Sequence, residues 1–373
     1  MGSGSHMATL VVLGGFILGF VFGAVANRTN FCTMGAVSDI VNMGSWGRMR
    51  MWLLAIAVAI LGTHALQLAG LIDLSSSFYV RPNVTWISYV VGGLLFGIGM
   101  TLGSGCGSKT LVRIGGGNLK SVVVFVFLGI AAYMTLKGLF AVWRVTFLDP
   151  LATDLSRHAI ARQDLPTLVS AAAGTGARAT EIAVALAVAG ALLAFVFKDR
   201  EFRASADHIV GGLVIGLVIV AGWYVTGHLG YGENPETLEN TFVATNSHNI
   251  ESLSFVAPVG YVLELMMLWT DQSLHVSFGI AAVAGIVLGS AAYALASRTF
   301  RWEGFAGPSD TASHVVGGLL MGFGGVTALG CTIGQGLTGF STLALGSILT
   351  FLAIVAGSAL TMKVQYWRLM REA

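Results

Sequence analysis

Long apolar stretches alternate with short polar ones along this chain. Apolar segments of about the length of a membrane span cover residues 10–26, 52–71, 121–142, 182–197, 209–225, 253–269, 277–296 and 343–362. An α-helix needs about 20 such residues to cross the hydrocarbon core of a bilayer. Together with the glycine-rich stretches between them, these segments predict an all-α polytopic membrane protein with about nine transmembrane helices plus re-entrant half-helices.

One glycine-rich stretch occurs twice. Residues 90–106 read VVGGLLFGIGMTLGSGC and residues 315–331 read VVGGLLMGFGGVTALGC, which match at ten of seventeen positions without a gap. Such a duplication is typical of two related halves that build one site between them. Five spans separate the copies. If each copy is re-entrant, the second copy is inverted relative to the first. If each copy crosses the membrane fully, the two copies are parallel. The sequence does not distinguish these alternatives.

The duplication predicts a membrane domain in two halves, residues 8–180 and residues 181–373. Residues 1–7, MGSGSHM, read as the remnant of an expression tag. The first half includes the one long polar segment, residues 144–178, which we expect to form short surface helices or a loop outside the bilayer. Residues 209–225 begin with VGGLVIG, which resembles LGGFILG near the start of the chain. If this is a decayed copy of the first element, the region that should hold its cysteine reads TGHLGYG, and the second half has lost that cysteine.

The composition favours a membrane protein over a soluble one. Hydrophobic residues make up 55% of the chain and charged residues 10%, against about 25% charged residues in an average soluble domain. Fifty glycines suit membrane helices whose backbones approach closely. The basic residues are scattered, which gives no nucleic-acid-binding patch. Short basic clusters at residues 48–50, 198–203, 298–301 and 368–371 predict cytoplasmic ends and a cytoplasmic C-terminus.

Three cysteines carry the candidate chemistry. Cys32, Cys106 and Cys331 each lie where an apolar, glycine-rich helix is predicted to break. They are odd in number and form no Cys-x-x-Cys pair, which argues against a disulfide framework and a structural zinc site, and no cofactor is expected. A buried cysteine is most often a small hydrophobic residue. All three lie at breaks, and two of them at equivalent points of a duplication, which indicates a functional set.

The residues around the cysteines suit an anion. A broken helix exposes backbone N–H groups whose dipoles favour negative charge. Lys109 and Arg113 follow Cys106 at helical spacing and add positive charge, although anchoring at the membrane interface explains them equally well. Thr332 and Gln335, just past Cys331, are candidate hydrogen-bond donors. A thiol suits a negatively charged sulfur atom, so a substrate with a sulfur end and an oxyanion end fits this path.

Three cysteine-bearing signatures carry a family resemblance. They are NRTNFCTMGAVSD, GSGCGSKTLVRIGGGNLKS and GGLLMGFGGVTALGCTIGQGLTG. They resemble the signatures of the YeeE/YedE family of bacterial inner-membrane proteins, also called TsuA-like thiosulfate transporters. The resemblance implies an hourglass-shaped, inverted-repeat helical protein. It implies that thiosulfate comes from the periplasm and passes along Cys32, Cys106 and Cys331, with no bond to it made or broken. It also implies a small cytoplasmic partner, a TusA-like sulfur-handling protein (YeeD/TsuB), besides membrane lipid.

Three classes of function stay open at this point. The first is uptake of thiosulfate or of another sulfur or selenium species; the chain has no Gly-x-x-x-x-Gly-Lys-Ser/Thr motif, so it does not itself hydrolyse ATP. The second is a membrane thiol oxidoreductase, which would need a Cys-x-x-Cys pair. The third is a soft-metal transporter, which would need further Met, His or carboxylate ligands near the breaks. His228 is the single nearby candidate.

Overall fold

The computed structural model describes residues 3–233 and 240–372, and most of them are helical. In chain order, the helices are α1 Ser3–Arg28, α2 Thr33–Ser38, α3 Gly47–Leu68, α4 Trp86–Leu102, α5 Gly107–Gly115, α6 Leu119–Leu136, α7 Leu139–Phe147, α8 Leu165–Ala173, α9 Ala177–Phe197, α10 Arg200–Ala204, α11 Ala206–Tyr224, α12 Ala257–Met267, α13 Phe278–Ala296, α14 Pro308–Thr327 and α15 Leu345–Glu372. Two short antiparallel pairs join β1 Asn83–Val84 to β2 Thr153–Asp154 and β3 Tyr231–Glu233 to β4 Asn240–Phe242.

The helices have the lengths and composition of membrane spans. Eight helical segments of the described chain are long and apolar enough to cross a bilayer: His6–Met43, Gly47–Leu68, Trp86–Gly115, Leu119–Leu136, Ala177–Phe197, Ala206–Leu229, Phe278–Ala296 and Leu345–Arg371. The prediction of an all-α polytopic membrane protein is confirmed.

One expected span is much shorter than the sequence indicated. Residues 253–269 contain the 11-residue helix α12, whose length of about 16 Å cannot cross the hydrocarbon core. The chain before α12 is not helical, and there Ser252 Oγ donates to the carbonyl of Ile219 at 2.8 Å. The apolar run therefore forms a half-helix with a polar approach to it rather than a full crossing.

The two copies of the duplicated stretch, α4 and α14, pack antiparallel. Gly92 lies against Gly324, whereas Gly99 lies against Gly317 and Met321. Antiparallel copies mean that the two halves are inverted, which decides the alternative that the sequence left open. Glycine is required for this approach, because a Cβ at Gly99 would lie 2.8 Å from the carbonyl oxygen of Gly317.

Helices of each half pack against helices of the other half. α1 runs parallel along α13, where Gly19 meets Ala282 and Gly23 meets Ile286, and α11 runs along α3 in the same way. Likewise α4 runs along α15, and α14 runs along α6. These pairs form two equivalent sets, so α11 is the structural counterpart of α1. The sequence likeness of VGGLVIG to LGGFILG has its origin in this shared packing.

Aromatic side chains fill the centre between the halves. Trp52 stacks on Phe31, with ring centroids 4.8 Å apart, and on Phe351 at 5.7 Å. Phe255 meets Phe22 at 5.6 Å. All five rings are buried, and Phe31 directly precedes the first cysteine. Rings from α1, α3 and α15 thus hold the segments around the helix breaks in place.

Basic side chains gather on one face of the helical bundle, which we call the basic face. Its members come from the ends of α1, α9 and α13 and from the beginning of α3: Arg28, Arg48, Arg50, Lys198 and Arg301. The polar segment 144–178 lies on the opposite face. It contributes the end of α7, all of α8 and strand β2, as short surface elements.

Candidate functional site

The three cysteines share one backbone geometry. In each case a helix ends at a residue with left-handed backbone, and the cysteine follows two positions later: Asn30 (φ 52°), Ser104 (φ 56°) and Leu329 (φ 58°). The next amide donates back to the helix in all three, from Phe31 to Ala26, from Gly105 to Met100 and from Gly330 to Gly325. This is the Schellman way of ending a helix. Each cysteine therefore lies shortly after a sharply terminated helix.

Cys32 caps the helix that follows it. Its Sγ accepts a hydrogen bond from the backbone N–H of Gly35 at 3.4 Å, at the N-terminus of α2. Lys109 and Arg48 lie close enough to Cys32 to interact with it electrostatically. A thiol near positive charge suits an anion with a soft end.

Cys331 is surrounded by backbone N–H groups. Its Sγ accepts from Gly334 at 3.4 Å, and the amides of Ile333 and Phe255 also point to it. Cys331 is fully buried. Several converging N–H dipoles favour negative charge at this point without any charged side chain.

Cys106 is the thiol that lies close to both others. It interacts electrostatically with Cys32 and with Cys331, and its Sγ lies 3.3 Å from Ser108 Oγ. The peptide of Phe255 links two of the breaks, because its N–H points to Cys331 and its carbonyl lies against Gly107. Cys106 is therefore within electrostatic reach of both other thiols, and all three cysteines are buried.

Lys109 and Arg113 make different contacts at the second helix break. Lys109 Nζ donates to Asn30 Oδ1 at 3.2 Å and interacts electrostatically with Cys32 and Cys106. Arg113 Nη1 donates to the carbonyl of Ser104 at 2.7 Å. Lys109 therefore stands between two thiols, whereas Arg113 satisfies a carbonyl that the end of α4 leaves without a helical partner.

Thr332 and Gln335 also differ from each other. The side chain of Gln335 is fully engaged, since its Nε2 donates to the carbonyl of Ala328 at 2.6 Å and its Oε1 accepts from Ser347 Oγ. Thr332 is fully buried, and its hydroxyl has no hydrogen-bond partner within residues 3–233 and 240–372. Gln335 braces the third break, and Thr332 keeps a donor unused beside Cys331.

Two residues of this region were missed by the sequence analysis. Thr33 is buried with an unpartnered hydroxyl, just as Thr332 is, as far as the described residues show. The repeated Cys-Thr-x-Gly at Cys32 and Cys331 was the signal that would have found it. Arg48, which pairs in a bidentate manner with Asp39, was expected only as part of a basic cluster at a cytoplasmic end and not beside a cysteine.

A cavity opens on the face opposite the basic one, and we call it the vestibule. Its volume is about 250 Å³, and it reaches the backbone just before Cys331 at Leu329 and Gly330. Polar residues that line it include Arg144, Glu251 and Ser254.

A wider cleft opens on the basic face, and we call it the basic cleft. It measures about 470 Å³ and is lined by Arg28, Asn30, Asp39 and Arg48, next to the break that holds Cys32. The series of thiols lies between the vestibule and the basic cleft. The break that holds Cys331 borders the vestibule, and the break that holds Cys32 borders the basic cleft.

The region around the breaks offers little to a metal ion. No group of three or more His, Cys, Asp or Glu side chains with the placement of metal ligands occurs in the described parts of the chain. His228 stacks on Tyr224, with ring centroids 5.0 Å apart, and its Nδ1 lies 3.2 Å from the carbonyl of Leu71. The arrangement therefore favours an anion held by thiols, hydroxyls and N–H groups over a soft cation.

Comparison with known proteins also supports an anion, and specifically a sulfur compound, as the ligand of this site. A family model described as "Sulphur transport" matches residues 28–360, which include all three helix breaks. The thiosulfate transporter TsuA of Spirochaeta thermophila is 26% identical over 347 residues, covering 92% of this chain and 96% of that protein. The thiosulfate transporter TsuA of Escherichia coli is 26% identical over 344 residues, covering 88% of this chain and 87% of that protein.

Proposed function

Since this chain belongs to the sulphur-transport family, we propose that it carries thiosulfate across the bacterial inner membrane along its three buried thiols. The chain is a multi-pass membrane protein of a transporter family. Thiosulfate as the substrate is supported by the names of two relatives that align over nearly their whole length. The observation that carries the proposal is the series Cys331, Cys106 and Cys32 between two cavities on opposite faces.

The charge distribution supports a direction of uptake. Cytoplasmic ends of membrane helices carry an excess of Lys and Arg, so the basic face lies in the cytoplasm and the vestibule opens to the periplasm. Thiosulfate then enters beside Cys331 and leaves at the basic cleft beside Cys32. This orientation places the end of α15, with Arg368 and Arg371, in the cytoplasm.

Each cysteine offers thiosulfate a soft contact. Because Cys32 and Cys331 accept a backbone N–H at Sγ, their S–H hydrogen can donate to the terminal sulfur of the substrate. The oxyanion end meets harder donors, such as the hydroxyls of Thr33 and Thr332. The ion is passed from one thiol to the next without a covalent step, so no oxidant or leaving group is needed.

Different donors surround each thiol along the proposed path. Cys331 is surrounded by amide dipoles, Cys106 lies near the ammonium of Lys109, and Cys32 lies near both Lys109 and the Arg48–Asp39 ion pair. Each single contact stays weak enough to release the anion. Gln335 and Arg113 hold the backbone of the breaks, and contact of either with substrate stays a prediction.

The family resemblance implies a cytoplasmic partner that would receive the product of transport. A small TusA-like sulfur-handling protein (YeeD/TsuB) would meet thiosulfate where the basic cleft opens, next to Arg28 and Arg48. Release at this cleft would place the substrate directly at such a partner. Co-purification of the two proteins, lost on reversing the charge of Arg28, would support this assignment.

The test is uptake of radiolabelled thiosulfate by a bacterium that lacks its own thiosulfate transporters. We expect uptake with the wild-type chain and a loss of at least about tenfold for Cys32→Ala, Cys106→Ala and Cys331→Ala, since each removes one soft contact worth about 1.4 kcal/mol or more in the transport barrier. Uptake that is indifferent to all three substitutions would reject the thiol path. Uptake of selenium compounds or metal ions instead of thiosulfate would select the corresponding alternative substrate.

A further inference from the structure

Arg144 occupies an unusual position on α7. This short helix presents apolar side chains outward, with Leu139 and Val142 well exposed. The side chain of Arg144 is only 20% exposed and lines the vestibule. Burying a guanidinium in such surroundings costs free energy unless an anion compensates its charge.

The charge of Arg144 is only partly compensated. Its Nη1 lies 3.6 Å from the Asp149 carboxylate, which is longer than a hydrogen bond. Its Nε is buried and has no hydrogen-bond partner in the part of the chain that the structure describes. A guanidinium carries five N–H donors in one plane and matches the paired oxygens of an oxyanion. Arg144 therefore has donors available for an anion that enters the vestibule.

The vestibule leads from Arg144 to the third helix break. It is also lined by Ser254 and Gly330, and Ser254 lies beside Gly334, whose N–H binds Cys331. Its volume of about 250 Å³ equals that of about eight water molecules at about 30 Å³ each. One small tetrahedral anion fits with room to turn.

We propose that Arg144 forms an anion-capture site in the vestibule, which binds the oxyanion end of thiosulfate and directs its sulfur end to Cys331. This inference rests on the proposed function and adds a binding residue outside the three cysteine signatures. The capture site lies in the polar segment 144–178, whose sequence carries no cysteine and no repeat.

Glu251 belongs to the same site as a counter-charge. It lines the vestibule together with Arg144, Tyr79 and Tyr261, and its carboxylate accepts a hydrogen bond from Ser247 Oγ at 2.8 Å. Burial raises the pKa of Glu251 to about 7. The carboxyl group is therefore partly protonated at neutral pH, and the positive charge of Arg144 is left available to substrate.

The test measures the initial rate of thiosulfate uptake against thiosulfate concentration. Arg144→Gln should raise KM by about 10- to 100-fold, as expected for loss of a charge-assisted hydrogen-bonded contact, with Vmax within about twofold of wild type. The KM of Arg144→Lys should lie between those of wild type and Arg144→Gln, because lysine keeps the positive charge but lacks the planar set of N–H donors of a guanidinium. Arg157→Gln is the matched control, since Arg157 lies in the same polar segment and is highly exposed.

Asp149→Asn provides a second test if Arg144→Gln folds poorly. Removing the partly compensating carboxylate should lower KM, and a raised KM would count against the capture site. An unchanged KM in Arg144→Gln would overturn the proposal while leaving thiosulfate transport intact. If wild-type protein takes up no thiosulfate, or if Cys331→Ala is as active as wild type, the proposed function itself fails. In that case, equilibrium binding of thiosulfate is compared between purified wild-type protein and purified Arg144→Gln, which tests the capture site separately from transport. Binding to Arg144→Gln that is as strong as binding to wild type would overturn the capture site.

Discussion

Cys32 and Cys331 hold the same hydrogen bond in two inverted halves of the protein. Each Sγ lies 3.4 Å from the backbone nitrogen of the glycine three residues later, Gly35 or Gly334. Each cysteine also follows a left-handed residue and precedes a buried threonine without a hydrogen-bond partner in the described chain. Cys32 and Cys331 therefore share one local geometry, although the repeat partner of Cys331 is Cys106.

The hydroxyls beside these two cysteines should act on transport rather than on stability. Thr33→Val and Thr332→Val each remove a donor that no described residue uses, so we expect thiosulfate uptake to fall by about 5- to 13-fold, as for a net hydrogen bond of about 1 to 1.5 kcal/mol. The melting temperature should stay the same or rise, because an unpaired buried hydroxyl is removed.

Thr350→Val is the matched control for the threonine variants. Thr350 on α15 is also buried with an unpartnered hydroxyl among the described residues, but it does not follow a cysteine. Its substitution should leave uptake unchanged. Equal uptake by all three valine variants would show that the hydroxyls next to the cysteines do not contact substrate.

Substitutions of Lys109 and Arg113 should have different effects, because we expect Lys109 to act on the substrate and Arg113 to stabilise the backbone of the helix break. Lys109→Met should lower uptake by at least about tenfold with little change in stability, because Lys109 supplies positive charge between two thiols. Arg113→Met should instead lower the free energy of unfolding by about 1 to 3 kcal/mol, since it leaves the carbonyl of Ser104 without its partner. Uptake assays and thermal unfolding in detergent measure the two effects. Full uptake by Lys109→Met would assign that lysine to interfacial anchoring.

The vestibule should make uptake depend on pH through Glu251. The pKa of this carboxyl is raised from its ordinary value of 4.5 to about 7 by burial, so it loses its proton between pH 6 and pH 8. The new negative charge then opposes anion binding near Arg144, with Tyr79 and Tyr261 neutral as the other titratable groups of the cavity. We expect KM for thiosulfate to rise several-fold from pH 6 to pH 8. A carboxyl group whose pKa is higher in the folded than in the unfolded protein loses its stabilising contribution as pH rises from about 4.5 to about 7, so the melting temperature should fall over that interval and level off above it.

Glu251→Gln should remove this pH dependence and keep the low KM of the protonated state at pH 8. Asp271→Asn is the control, because Asp271 lies in a loop and a hydrogen bond from Ser273 keeps its pKa below the ordinary value. A pH profile of KM that Glu251→Gln leaves unchanged would assign the titration to another group.

The close packing of the inverted halves should show in substitutions of glycine. A Cβ at Gly322 of α14 would collide with the carbonyl oxygen of Leu128 on α6, whereas a Cβ at Gly190 of α9 would meet no atom within 4 Å. Gly322→Ala should therefore destabilise the protein by about 1 to 3 kcal/mol. Gly190→Ala should stabilise it by about 0.5 to 1 kcal/mol, because alanine loses less backbone entropy in a helix. Thermal unfolding of both variants checks the difference, and equal melting temperatures would contradict the packing.

Sequence patterns located much of the candidate site, although not the function of each side chain. All three cysteines were expected at helix breaks, and the structure places a break before each of them. Lys109 and Arg113 looked equivalent in sequence, yet one lies between two thiols and the other binds a carbonyl. Arg144 carried no signal, because all of its neighbours in the vestibule except Leu136 come from segments about 65 to 190 residues away in the chain, a separation that local patterns do not encode.

The sequence by itself determined the membrane class, the duplicated halves and the positions where helices end, because these depend on the length of apolar runs and on local glycine and polar residues. The tertiary structure alone decided that α4 and α14 run antiparallel, that residues 253–269 form only the short helix α12, and that Cys106 is within electrostatic reach of both other thiols. Helix direction and proximity are set by contacts between backbones far apart in sequence. Those contacts, such as Gly99 against Gly317, exist only once the two halves have packed together.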